Sequence, residues 1–315
     1  MGLLSRLLPT MLAAAVILMH QQKSLESIIL TSDETARKQE NSHMKPHRPP
    51  SLADGCYHVF VDAGSNRGVH GRFLFEPEKY NRSLFIKKFD EMFGNNRTKQ
   101  NICVFAFEPN VQKHNASQMA TQEAYHRLGW RYHYIPYGVS DKDGQVTFFR
   151  NWDYFNGLRR EEWGFGTHLH STKMNASDAV MNSSLVAIVE TIDLATWSER
   201  HIFNRTIPFK NEYNRHHPVV AMKIDVEGSE YRTIDHMIES GTACKFDYIL
   251  GELHFTDVPQ AFGKHNLTTE HHAERYAKYM KKALAKEGCP KFLEFDDEKY
   301  LHDGQPYPVP GERWA

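Results

Sequence analysis

Two acids stand just past an apolar run in Val220-Ala221-Met222-Lys223-Ile224-Asp225-Val226-Glu227-Gly228-Ser229-Glu230. A buried strand ending there puts the carboxylates of Asp225 and Glu227 at its C-terminal edge, where open α/β sheets bind their ligands. Carboxylates so placed can take a proton from a reacting hydroxyl. Glu252-Leu253-His254 closes a second apolar run in the same way. His254 is the side chain whose ordinary pKa lies nearest neutrality. Asp225, Glu227, Glu252 and His254 are therefore the candidate bases, and Lys223 completes the catalytic set. The plain alternative for Lys223 is an ion pair with a neighbouring acid. For Glu227 and Glu230 it is charge stabilisation of a helix start. Asp225 or Glu227 with Glu252 and His254 could instead hold a divalent metal that acidifies the hydroxyl. That reading ranks below direct proton transfer.

A third strand end has the same grammar: Val59-Phe60-Val61-Asp62-Ala63-Gly64-Ser65-Asn66-Arg67-Gly68 is strand, acid and glycine turn. A fourth, Val104-Phe105-Ala106-Phe107-Glu108-Pro109-Asn110, ends in one acid. Asp62, Ala63, Gly64, Ser65 and Asn66 would cradle a cofactor. Gly64 lets backbone approach a ligand closely, Asp62 can accept from an ammonium group or from backbone amides in the turn, and Asn66 offers a donor and an acceptor. Glu108, backed by Pro109, can take both hydroxyls of an adenosine ribose. The dinucleotide fingerprint G-x-G-x-x-G is absent, because Gly64 is followed by Gly68. A donor without a pyrophosphate, such as S-adenosylmethionine, needs no such cradle. A lone glycine turn after a strand is more often structural, so only the strand ends acting together point to a cofactor site.

The elements that must position these residues follow from periodicity and turn residues. Strands are expected over Tyr57–Ala63, Ile102–Phe107, Tyr132–Val139, Val219–Asp225 and Phe246–Phe255, with a late strand over Phe292–Phe295. Helices are expected over Leu84–Phe93 (Leu84, Phe85, Phe89 and Phe93 on one side), Val111–Leu128, Asp193–His201, Ser229–Ser240 and Thr269–Glu287. Gln145–Arg150 alternates like one arm of a hairpin, and Leu185–Leu194 reads as extended. Phe75-Glu76-Pro77 imitates Phe107-Glu108-Pro109, but no strand leads into it, so it reads as an insertion. Asn151–Ser184 has no period and is long enough to be a functional loop. Its Trp152, Tyr154, Phe155, Trp163 and Phe165 would suit stacking on a sugar face, or simply pack the loop.

The pattern resembles the FkbM family of S-adenosylmethionine-dependent methyltransferases. The residues that carry the resemblance are Val61–Gly68, Phe107–Asn110, Gly138–Asp141, Thr191–Leu194, Lys223–Glu230 and Glu252–His254. The resemblance implies an α/β fold of the class I, Rossmann-like type: a doubly wound, mostly parallel seven-stranded sheet with one antiparallel strand. It also implies O-methylation. By the motif match Asp62, Gly64, Asn66 and Glu108 become cofactor contacts, and Ser140 and Asp141 neighbours of the adenine. The chain departs from the family after Gly68, in 151–184 and in its His-rich C-terminal part, which leaves the acceptor open.

Composition narrows the setting. At 315 residues, 40% hydrophobic and 24% charged, the chain suits one large α/β domain with tails, or at most two domains. A net charge of −1 lacks the basic excess of a nucleic-acid binder, so no nucleic-acid partner is expected. The expected organisation is a signal-anchor or signal peptide at 1–20, a disordered stem at 21–54, the methyltransferase domain at 55–300 and an irregular tail at 301–315. Leu7–Met19 is apolar apart from Pro9 and Thr10 but only 13 residues long, short of the roughly 20 of a spanning helix. A mitochondrial presequence is the rival reading. N-x-S/T occurs at Asn81, Asn96, Asn115, Asn175, Asn182, Asn204 and Asn266, against about two expected by chance. These point to the Golgi or ER lumen and a type II membrane topology. Of the four cysteines, Cys103 reads as a buried thiol, and an oxidising compartment would allow a Cys244–Cys289 bridge. The expected partner is a glycan hydroxyl, with a lipid or small-molecule hydroxyl as alternative. A binding module that has lost turnover is the rival of another class.

Overall fold

The computed structural model describes residues 49–80, 83–95, 97–150, 153–155, 158–160, 165–166, 186–208, 217–253, 278–285 and 289–295. The chain divides into two compact units, 1–49 and 50–315. In chain order the strands are β1 (His58–Ala63), β2 (Ile102–Phe107), β3 (Arg131–Ile135), β4 (Gly138–Ser140), β5 (Gly144–Arg150) and β6 (Asp153–Phe155). They continue with β7 (Leu158–Arg160), β8 (Phe165–Gly166), β9 (Val186–Asp193), β10 (Val220–Ile224), β11 (Tyr248–Gly251) and β12 (Phe292–Glu294). The helices are α1 (Val69–Phe75), α2 (Leu84–Phe93), α3 (Val111–Arg127), α4 (Leu194–Ser198) and α5 (Glu230–Glu239). Residues 278–284 are also helical.

The main sheet has the order β12-β11-β10-β1-β2-β3, and every pair in it is parallel. Strands β1, β2 and β10 are buried along their whole length, which explains their unbroken apolar sequence: a parallel sheet is covered on both faces. The two-residue period divides their side chains between two cores. Val59, Val61, Phe105, Phe107, Met222 and Ile224 pack with Leu194, Tyr231, Ile234 and Met237. Phe60, Val104, Ala106 and Ala221 pack with Phe73, Phe85, Phe89 and Tyr125. Helix α2 starts where the Ser83 hydroxyl accepts the Phe85 N–H, and it buries Phe85, Phe89, Met92 and Phe93.

Several expectations need correction. Among the described residues the main sheet has six strands rather than seven, and none is antiparallel. Antiparallel pairing occurs instead in a second sheet, β4-β9-β5-β8. The strand expected over Tyr132–Val139 is two strands in two sheets, divided at Pro136, which cannot donate to a ladder. Strand β5 pairs with the distant β9 and not with its chain neighbour. Part of the loop expected at 151–184 is ordered: β6 pairs with β7, and β8 extends the second sheet beside β5. Leu84 is exposed, because it opens α2 on the solvent side.

Cys103 is not a free thiol; it is bonded to Cys56, and Cys244 is bonded to Cys289. The end of the expected stem is folded. Ser51 and Ala53 are buried, and Gly55 N–H donates to Thr206 O while Thr206 N–H donates to Asp54 Oδ1. Backbone bonding, not an apolar period, orders that segment. The apolar segment 7–19, Trp152, Trp163, most of the helix expected at 269–287 and the tail 301–315 lie outside the described residues. Among the described residues no helix is long and apolar enough to cross a membrane.

Candidate active site

From β1 the chain winds outward through β2 and β3, then returns to the other flank of β1 as β10 and winds outward again through β11. The strand order reverses between β1 and β10. In doubly wound sheets the crevice beyond the C-terminal ends at such a reversal is the binding site. The strand ends there are level: Ala63 lies opposite both Phe107 and Ile224, and Ile224 opposite Gly251. Gly64, Glu108, Asp225 and Glu252 are thus each the first residue beyond a strand. Their amides continue the ladder. Gly64 N–H donates to Phe107 O (3.0 Å), Glu108 N–H to Ile135 O (3.1 Å), Asp225 N–H to Ala63 O (3.0 Å) and Glu252 N–H to Ile224 O (3.2 Å). Two glycines make this edge physically achievable. A Cβ on Gly64 (φ 79°) would lie 1.7 Å from Asp225 O, and one on Gly251 (φ 152°) would lie 1.8 Å from Ile224 O.

Glu108 is buried, and its carboxylate is held by two backbone donors. Oε2 accepts from Asn66 N–H (2.9 Å) and Oε1 from Asn110 N–H (2.7 Å). Asn66 adopts the left-handed conformation, φ 50°, as its N–H turns toward Glu108. Burial pushes the Glu108 carboxyl up to about 7, against the pull of the two N–H groups and of Lys223. Each oxygen keeps a further lone pair for an outside donor. Asp62 is wholly buried, and neither of its carboxylate oxygens has a hydrogen-bond partner among the described residues. His70 Nδ1 stands 3.4 Å from Oδ1. A buried carboxylate left without hydrogen bonds is costly, and an ammonium donor would relieve that cost.

Lys223 is the partner of Asp62 in the β1–β10 register. Its buried Nζ donates to Gly64 O (3.0 Å) and to Asp225 Oδ2 (2.9 Å), tying the glycine turn to the end of β10. This is a positioning role. Glu227 is half-buried at φ 51°. The turn that carries it is clamped by Glu230, whose carboxylate accepts from Val226 N–H and Gly228 N–H, each at 2.9 Å. Glu230 thus opens α5 and also folds back on the preceding loop.

The remaining expected residues are less central. Ala63 sends its side chain into the core and offers its carbonyl to Asp225. The Ser65 hydroxyl is buried and accepts from Gln118. Pro109 is half-buried beside Glu108. Ser140 ends β4 in the second sheet and Asp141 follows it; the Ser140 hydroxyl donates to Asp141 Oδ1 (2.9 Å), and Ser140 lies level with Asp193. They are therefore not members of the level edge. His254 lies outside the described residues. Among the described residues no three His, Cys, Asp or Glu side chains converge as metal donors.

Sequence reasoning missed Gln118, Tyr132 and His70, all fully buried around the glycine turn. The buried face of α3 is His114, Gln118, Thr121, Ala124 and Tyr125, so no apolar stripe marks it. Burial pushes His114 down to about 4, helped by Arg67 and Lys113, so it sits there uncharged at neutral pH. The donor set fits S-adenosylmethionine: an unsatisfied carboxylate for its ammonium group and an anchored one for its ribose diol. A family model described as a methyltransferase FkbM domain matches residues 55–283, well over half of the chain and inclusive of all these residues. No curated protein and no solved structure matches the chain.

Proposed function

The chain belongs to the FkbM methyltransferase family and is an S-adenosylmethionine-dependent methyltransferase; from that premise we propose that it methylates a hydroxyl oxygen of a glycan within the secretory pathway. The observation that carries the methyl-transfer chemistry is the crevice where Glu108 and Asp225 stand level just past β2 and β10, with Asp62 and Lys223 paired one residue inside the ends of β1 and β10. S-adenosylmethionine supplies a methyl group already activated on a sulfonium. The protein's work is to bind, to align an acceptor oxygen in line with that methyl, and to remove the acceptor's proton. Alignment can lower such a barrier by about 7–11 kcal/mol in favourable cases. A base adds roughly 10²–10⁴-fold. Asp62 and Glu108 take the binding role. Asp225, Glu227 and Glu252 stand on the β10–β11 side of the crevice, and one of these carboxylates, or His254 two residues after Glu252 in the chain, takes the proton.

The compartment is argued from covalent chemistry. All four cysteines are paired, and disulfides persist in oxidising compartments. Of the seven sequons, Asn115 and Asn204 fall in described residues, and both side chains are exposed. The apolar segment 7–19 behind a stem suits an anchored, type II arrangement. Glycans are the abundant hydroxyl acceptors of that lumen.

The test is incubation of the purified protein with methyl-labelled S-adenosylmethionine and with separated cellular glycans, lipids and proteins. Label should enter released glycans and resist mild base, as an ether does. Asp225→Asn should reduce incorporation by about a hundredfold or more, the low end of what a base contributes. Label confined to lipid or protein would overturn the glycan assignment.

A further inference from the structure

We propose that Gln118, which reaches the glycine turn from the middle of α3, is a positioning residue that sets the affinity for the methyl donor without touching it. Its side chain is wholly buried. Its Nε2 donates to Ser65 Oγ (2.9 Å) and to Asn66 O (2.8 Å), and its Oε1 accepts from the Tyr132 hydroxyl (2.6 Å). The amide orientation is fixed by chemistry, because the Asn66 carbonyl can only accept. One side chain therefore joins α3, β3 and the turn after β1.

The consequence lies one bond further on. Asn66 is held at φ 50°, a conformation that side chains other than glycine adopt at a cost. In that conformation its N–H reaches Glu108 Oε2 at 2.9 Å. Gln118 grips the carbonyl of the same residue, so it opposes relaxation of Asn66 to negative φ and keeps the Glu108 carboxylate turned toward the crevice. Tyr132 is packed immediately beneath. A Cβ on Gly68 would lie 2.3 Å from its hydroxyl, and one on Gly71 would lie 2.5 Å from its ring. The two glycines after the turn thus make room for the Tyr132–Gln118 brace.

The test uses the full-length protein, S-adenosylmethionine and S-adenosylhomocysteine as probes, and calorimetric titration at a temperature where near-UV circular dichroism shows each variant folded. Gln118→Met keeps the volume and removes every hydrogen bond; its Kd for both probes should rise roughly tenfold, the size of one lost buried hydrogen bond. Gln118→Glu can still accept from Tyr132 but offers one proton at most, so it should lose less than Gln118→Met. Tyr132→Phe leaves both donated bonds in place and should lose least. Amide hydrogen exchange at Asn66 in the unliganded protein should be faster in Gln118→Met, a readout that general destabilisation confined to α3 would not move selectively. A Kd for Gln118→Met within twofold of wild type, or a loss in Tyr132→Phe as large as in Gln118→Met, would overturn the proposal. If Gln118→Met does not fold, Gln118→Glu against Tyr132→Phe decides it by the same ordering.

Discussion

Glu108 is pulled in two directions. Burial favours its neutral form, while the N–H groups of Asn110 and Asn66 favour its charge, and the balance lies at about 7. Hydroxyls that donate to both oxygens need the ionised carboxylate. Donor binding should therefore release a proton near neutrality. The affinity for S-adenosylmethionine should weaken below pH 7 and approach about tenfold per pH unit well below it. The effect on stability has the opposite sign. The carboxyl is raised from an ordinary 4.5, so its stabilising contribution is full below that value and is lost as pH rises through about 7. Titrations between pH 5.5 and 8.5 check the affinity, and a flat Kd would contradict the assignment. Glu108→Gln is no neutral substitute. Both oxygens already accept an N–H, so an amide would turn its own donor against one of them.

At the scale of elements, the β10–α5 connection is the most constrained part of the site. Glu227 and Gly228 both have positive φ, and the two oxygens of Glu230 hold the amides on either side of Glu227. Glu230→Ala would leave those amides without partners, one of them buried. The expected cost is roughly 2–3 kcal/mol of stability, read by urea denaturation, with methyl transfer falling further than the folded fraction explains. An unchanged midpoint would show that the loop holds itself. This connection was legible in the sequence because strand, acids, glycine and helix start occur within one short stretch. The same is true of β1 and β2, whose apolar runs end in Asp62 and Glu108. The second sheet was not legible. The β5–β9 pairing spans a long stretch of chain, and only Pro136 hints that β3 and β4 belong to different sheets. Gln118 was hidden for a related reason: a polar residue buried on a polar helix face has no periodicity to betray it, and its partners lie on other elements.

For the whole molecule, the two disulfides lie at the opposite edge of the sheet from the site. Cys56 precedes β1, and Cys103 is the second residue of β2; Cys244 lies in the turn before β11 (Thr242–Lys245), and Cys289 before β12. Each bridge joins the N-terminal ends of two neighbouring strands. Their pairing depends on strand order, which explains why Cys103 looked like an isolated thiol in a hydrophobic run. The bridges close loops of 47 and 45 residues. Closure on that scale restricts the unfolded chain by up to about 4 kcal/mol per bridge, and typical losses on removal are about 2–4 kcal/mol. The double variant Cys244→Ser/Cys289→Ser should therefore melt about 5–15 °C lower. The bridge is remote from Asp62 and Glu108, so the Kd for S-adenosylmethionine, measured where the variant is folded, should stay within about twofold of wild type, a shift well below the 1.4 kcal/mol of a tenfold change. Thermal melts with and without reductant, paired with one titration, separate the two effects. If reduction left the melting temperature unchanged, the bridges would not stabilise the domain, and the argument from them to an oxidising compartment would lose its physical basis.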